Sequence, residues 1–255
     1  MKGASPDYLD MENTDHKKDA LPKRENPWLN LGFNILIPIL LLSKGDDWFG
    51  FSPTANLIIA LAFPLGYGVV DLVMRKKFNL FSILGFVSVL LTGGIGLLKL
   101  PNEWIAIKEA AIPLLLGIAV AVSLYTPFPL VKKLLLNPEM VDLPKIEAKI
   151  KENRSEKKFQ ALISSSSWLV VASFLVSAVL NYVLARVVVT SPAGTPEFNE
   201  QLGRMQGLSY IVIFVPSMAI LLIALFRLFS GIQRLTGLEW ETFIRGAKPP
   251  EKSGS

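Results

Sequence analysis

The stretch Trp104–Gly117 (WIAIKEAAIPLLLG) places two charged residues, Lys108 and Glu109, side by side in an otherwise apolar sequence. Charged side chains in a membrane segment are costly, and they usually face the protein interior, where they pair or line a pathway. Adjacent helical residues point about 100° apart, so the two cannot both face lipid cheaply. We predict a polar cluster in which Glu109 pairs with Lys108 or with Arg186, which lies at a similar predicted depth. The alternative is a buried pair that only fixes helix packing.

Polar amides in other apolar stretches extend this candidate cluster. Asn34 and Asn181 would line a cavity together with the charged residues if the bundle contains one. The spacing Asn34-x-x-x-Pro38 matches Glu109-x-x-x-Pro113, as in transporters built from inverted repeats. Interhelical hydrogen bonds and ordinary membrane prolines explain the same residues without transport.

Asp71 is a further candidate because it lies three residues after Gly68 and four residues before Arg75, where the basic run 75–77 begins. This pattern loosely resembles the loop between the second and third spans of major-facilitator transporters. That resemblance implies an acid that holds helix ends in one conformational state. The alternative is an acid that balances the charge of a basic loop.

Several kinds of chemistry are excluded by residue types. The chain has no cysteine, and its single histidine, His16, lies in a polar tail. Disulfides, thiolate sites and histidine-based metal sites or catalytic triads in the membrane are therefore excluded. We find no phosphate loop or hydrolase motif, so we predict no enzyme, no cofactor and no metal. The net charge of +5 is better explained by membrane topology than by a nucleic-acid partner.

The composition is that of a membrane protein. Hydrophobic residues make up 51% of the 255 residues and charged residues 18%, against about 25% charged in soluble domains. The hydrophobic pattern predicts an all-helical bundle of six transmembrane spans. The predicted spans are 28–43, 54–74, 80–98, 103–126, 160–189 and 205–230.

The segments outside these spans are polar. We predict a disordered tail over 1–27, a basic loop over 131–158 that lies at the lipid headgroups with only a thin apolar stripe, and an interfacial helix and tail over 231–255. Helix starts are predicted at Ser52-Pro53 and Thr195-Pro196, and Asn102 is predicted to cap the fourth span.

The distribution of basic residues sets the orientation. With the N-terminus inside, the opposite side keeps only five of the 26 lysine and arginine residues: Lys44, Lys99, Lys108, Arg186 and Arg204. Positive charge accumulates on the cytoplasmic side of membrane proteins. We therefore predict that both termini are cytoplasmic.

The stretch GGIGLLKLPNEWIAIKEAAIP (93–113) resembles the intracellular septation protein A group of bacterial inner-membrane proteins. In that group small residues and leucines lead into a Trp-x-x-x-Lys-Pro-Thr span start. Here Trp104 and Lys108 match, whereas Glu109-Ala110 replaces Pro-Thr, so the chain is closer to the uncharacterised six-span relatives of the group. The resemblance covers most of residues 30–245. It implies a bacterial inner-membrane location and a link to envelope synthesis and division through partners.

Two functions follow as hypotheses. The first is a non-enzymatic inner-membrane protein that supports envelope maintenance or division through membrane lipids, a second copy of itself or a division protein. The alternative is a small-solute or lipid transporter with a polar cavity between the spans. The two differ in whether Glu109 and its neighbours are packed or face water.

Overall fold

The computed structural model describes residues 32–75, 80–126, 130–137 and 141–244, and this part of the chain is all-helical. A π-helical turn, Gly32–Leu36, leads into the first α-helix, and a second, Tyr210–Phe214, joins α8 to α9. The α-helices are α1 (Ile37–Phe49), α2 (Pro53–Arg75), α3 (Leu80–Leu97), α4 (Glu103–Ser123), α5 (Leu130–Leu135), α6 (Leu143–Glu152), α7 (Glu156–Val188), α8 (Pro196–Ser209), α9 (Val215–Thr236) and α10 (Trp240–Phe243).

Four of the described helical segments are long and apolar enough to cross a membrane: Pro53–Val70, Glu103–Ser123, Glu156–Val188 and Pro196–Thr236. The last joins α8, the π turn and α9 into one run of 41 residues. At 1.5 Å per residue this run is about 60 Å long, twice the thickness of a bilayer core. The chain is thus a multi-pass membrane protein. Helix α3 contributes a shorter apolar stretch, Ile83–Leu97, where the sequence predicted a full span.

The helices pack mainly in neighbouring pairs. Helix α4 lies along α7, α7 lies along α9, and α1 contacts both α2 and α8. The approach of α4 to α7 depends on a small residue, because a Cβ on Gly117 would lie only 3.1 Å from the Cβ of Phe174. Small residues at helix contacts allow this kind of close packing in membrane proteins.

Two of the predicted helix starts are confirmed. Ser52 Oγ accepts a hydrogen bond from the backbone N–H of Ala55, and Thr195 Oγ1 accepts one from Phe198. The predicted cap at Asn102 is wrong. Its backbone is already helical, and its amide instead donates to the carbonyl of Val189 at 3.0 Å. Asn102 therefore joins the start of α4 to the end of α7.

The thin apolar stripe of the basic loop faces the interior of the protein. Ile146, Ile150 and Phe159 are buried inside the protein, in a core completed by Ile232 of α9 and Phe243 of α10. We call this assembly the basic-end core. The stripe is thin because it needs to fill only the gap between the ends of α7 and α9.

Hydrogen bonds fasten this loop to the C-terminal segment. The N–H of Asp142 donates to the carbonyl of Phe243 at 2.8 Å, and the amide of Asn153 donates to the carbonyl of Leu235, also at 2.8 Å. Beyond the four-residue helix α10, the predicted interfacial tail continues into 245–255, which lie outside the described residues.

Candidate functional site

Lys108 is buried between α3 and α4, where its ammonium group has three partners. Nζ lies 2.6 Å from Glu109 Oε1, 2.8 Å from Thr92 Oγ1 and 3.2 Å from Ser88 Oγ. A lysine ammonium has three protons to donate, so these three acceptors satisfy it. Of the two predicted pairings of Glu109, the structure therefore contains the one with Lys108.

The hydroxyl groups of α3 are arranged to receive this cation. Thr92 Oγ1 donates its own proton to the carbonyl of Ser88 at 3.0 Å, which leaves its lone pairs free for the lysine. The Lys108 side chain is 6% exposed, so its charge is almost completely buried inside the protein. Lys108 and its three acceptors therefore link α3 to α4, two helices that otherwise make few contacts with each other.

Glu109 also lines a small cavity of about 60 Å³. The cavity is also lined by Asn181, Leu184, Met205, Gln206, Ser209 and Ile213. A cavity needs only roughly 10–15 Å³ of such volume to hold one water, so the space is enough for a few waters. Asn181 is largely satisfied by its own helix, since its amide donates to the carbonyl of Ser177 at 2.8 Å.

The predicted pair between Glu109 and Arg186 is absent from the structure. Arg186 instead lies 3.0 Å from Glu103, at the exposed start of α4. The end of α7 faces the first turn of α4, and Glu109 lies six residues deeper, about 9 Å further along the helix axis. Arg186 is therefore a surface residue rather than part of the Lys108 cluster.

Two of the six candidates cannot be placed in the site. The backbone of Asn34 is in the first π-helical turn and that of Asp71 is in α2, but both side chains lie outside the described residues. The structure therefore brings together Lys108 and Glu109, and it places Asn181 across the small cavity from Glu109.

A second buried polar group lies between α1, α2 and α8. Asn56 is fully buried, and its amide interacts only weakly with the carboxyl of Asp46, since neither amide atom meets ordinary hydrogen-bond geometry with any described residue. It faces Asp46, whose carboxyl pKa is raised above the ordinary value mainly because burial disfavours its charge. The nearby acids Asp47 and Glu197 raise this pKa further, whereas Asn56 opposes the shift.

A larger cavity lies at the other end of the molecule, where α5 and α6 meet the start of α7. Its volume is about 680 Å³, within the usual range for ligand sites. It is lined by Leu124, Thr126, Lys132, Glu147, Ile150, Lys151, Glu156, Phe159, Gln160, Ile163 and Ser164. One feature of the sequence indicates it, the helical spacing of polar residues at 156, 160 and 164 beside apolar ones at 159 and 163.

Comparison with known proteins finds no relative of this chain. No protein-family model matches the chain, and neither a curated protein nor a solved structure matches it. The likeness to the septation protein A group thus rests on the residues quoted above. What the site can do must be argued from its geometry, which offers a packed ion pair, a small cavity beside it and a large amphipathic cavity at the basic end.

Proposed function

We propose that the protein is a non-enzymatic, multi-pass protein of the bacterial inner membrane that supports envelope maintenance or division through lipid or protein contacts. The observation that carries this proposal is the closed surrounding of Lys108. Its ammonium group already has Glu109, Ser88 and Thr92 as partners, and the neighbouring cavity is small, at about 60 Å³. A transport pathway needs charged groups that can exchange partners with a solute.

In this proposal the chain has six spans and both termini are cytoplasmic. Residues 28–43 and 80–98 supply the two spans beyond the four long helices. Leu90 and Leu91 of α3 are about half exposed, at 49% and 48%, which suits contact with lipid. Exposed basic residues gather at the end formed by α6 and the start of α7: Lys145, Lys151, Arg154, Lys157 and Lys158. This bias supports a cytoplasmic position for that end.

Single-cysteine labelling in intact cells tests the proposal, and the cysteine-free chain makes it clean. Cysteines replace Asn181 and Ser209 in the small cavity, and Asp47 and Glu197 serve as exposed controls. With a membrane-impermeant thiol reagent, we expect labelling of the two controls and none in the cavity. Arg186→Cys should label as well, because Arg186 is 43% exposed.

Transport is the second candidate, and the shared cavity of Glu109 and Asn181 is the observation that favours it. A small cavity in one conformation widens in another if the helices around it move. Labelling of both Asn181→Cys and Ser209→Cys at the rate of the Asp47→Cys control would put transport ahead of the packed-bundle proposal.

A further inference from the structure

The 680 Å³ cavity at the basic end has a floor and a rim of different chemistry. Ile150, Phe159 and Ile163 are buried and form an apolar floor, with 2%, 6% and 6% of their surfaces exposed. The rim consists of polar and charged side chains, exposed ones from α6 and α7 and the partly exposed Lys132 of α5. This combination suits an amphiphile, whose acyl part covers the floor while its polar part meets the rim.

The rim carries two lysines and two glutamates, so its charges balance. Lys132 and Glu147 already pair at 2.8 Å across the α5–α6 junction. Lys149 pairs with Glu152, also at 2.8 Å, and both residues lie outside the cavity. Within the described part of the chain, Lys151 and Glu156 then remain without an ion-pair partner. The cavity thus offers one unpaired cation and one unpaired anion to a ligand.

Helix α7 carries hydrogen-bond acceptors along one side of the cavity and sets their spacing. Glu156, Gln160 and Ser164 follow one another at four-residue intervals, so they form a row along one face of the helix. Phe159 and Ile163 form the adjoining apolar row. A ligand lying along these two rows would place its polar end at Glu156 and its apolar end towards Leu124, deeper in the bundle.

We propose that this cavity binds the headgroup of a zwitterionic aminophospholipid of the phosphatidylethanolamine class. Lys151 binds the phosphate, Glu156 and Gln160 accept hydrogen bonds from the primary ammonium, and the apolar floor receives the start of an acyl chain. A primary ammonium donates three hydrogen bonds, whereas the quaternary ammonium of phosphatidylcholine donates none. A purely anionic headgroup would leave Glu156 unpaired and repelled. The inference rests on the proposed function, in which this end meets the cytoplasmic headgroups.

Native mass spectrometry of the full chain, purified in detergent, tests the inference. Equal amounts of phosphatidylethanolamine, phosphatidylcholine or phosphatidylglycerol are added, and the lipid retained is counted. We expect retention of phosphatidylethanolamine above the other two. Glu156→Gln and Lys151→Gln should each weaken it roughly tenfold, the effect of losing one charge-assisted hydrogen bond. The matched control is Glu152→Gln, an acid of the same loop that does not line the cavity.

Three outcomes would overturn the inference. One is equal retention of the three lipids, and another is an equal loss from Glu152→Gln and Glu156→Gln. The third is full competition by free glycerophosphoethanolamine, since the site would then take a soluble phosphate ester. Failure here with an unlabelled small cavity leaves the proposed function standing. Selective retention together with labelling at Asn181→Cys and Ser209→Cys would instead keep the lipid site and reject the packed bundle.

Discussion

At the scale of single residues, the structure separates charges that hold helices together from charges that meet the surface. Lys108 is 6% exposed and has three acceptors, whereas Arg186 is 43% exposed and bonds one glutamate. A buried pair is sensitive to loss of one partner, because the remaining charge has no water to solvate it. A surface pair is worth little by comparison.

Removing one member of the Lys108–Glu109 pair should therefore lower the free energy of unfolding more than removing both members. We expect Glu109→Ala to lower the free energy of unfolding by about 1–3 kcal/mol, less than a fully buried pair because Glu109 keeps some exposure. Lys108→Met with Glu109→Ala should recover part of this loss. Thermal unfolding in detergent gives the coupling energy of the cycle. In the exposed control pair, Lys149→Gln should change stability by under about 1 kcal/mol. Simple additivity of the Lys108 and Glu109 effects would contradict the buried pair.

Asp46 should make stability depend on pH. Its folded pKa is raised above the ordinary 3.8, so the folded state binds more protons than the unfolded state just above that pH. Stability contributed by Asp46 is then present at low pH and lost as pH rises through the folded pKa. We expect Asp46→Asn to be at least as stable as the wild type at pH 7 and to lose this advantage towards pH 4. A difference between the two proteins that is constant with pH would contradict this assignment.

At the scale of helices, the sequence alone could predict features that depend on residues within one helix. It could not predict features that depend on which helices pack together. The helix starts at Ser52 and Thr195 were predictable, because capping depends on residues within one turn. The partner of Arg186 and the burial of Ile146 were not, since both depend on which helix lies opposite. The all-helical fold followed from local pattern, whereas that pattern left both Lys108 and Arg186 open as partners of Glu109. The large cavity could not be located from the sequence, because its walls come from the turn after α4 and from α5, α6 and α7.

The contact of α1 with α2 is very close, so it offers a sensitive test of this packing. A Cβ on Gly45 would overlap the buried amide of Asn56, whereas a Cβ on Gly207 would meet nothing within 4 Å. We expect Gly45→Ala to destabilise the protein by about 1–3 kcal/mol through overpacking. Gly207→Ala should stabilise its helix by up to about 1 kcal/mol. Thermal unfolding of the two variants checks the difference, and equal effects would show that the two helices can separate at Gly45 without cost.

At the scale of the whole molecule, the protein consists of a membrane bundle and the basic-end core. The core joins elements far apart in the chain, since Val141 and Ile244 form an isolated antiparallel β-bridge and Phe159 and Phe243 share the same apolar cluster. The loop and the C-terminal segment therefore hold each other in place. The large cavity lies against this core through Ile150, Phe159 and Ile163, so its shape depends on the same contacts.

Phe243 is the residue through which this mutual dependence can be measured. It is 1% exposed in the basic-end core, and truncating a buried phenylalanine costs about 3–5 kcal/mol. We expect Phe243→Ala to release α6 while the bundle stays folded, because the contacts among α4, α7 and α9 do not involve it. Limited trypsin digestion should then cut at Lys145, Lys149 and Lys151 far faster than in the wild type. Phe214→Ala, at a residue 55% exposed, is the matched control and should leave the digestion pattern unchanged. Unaltered cleavage in Phe243→Ala would mean that the loop is held by the bundle alone, and the C-terminal segment would then have no part in shaping the cavity.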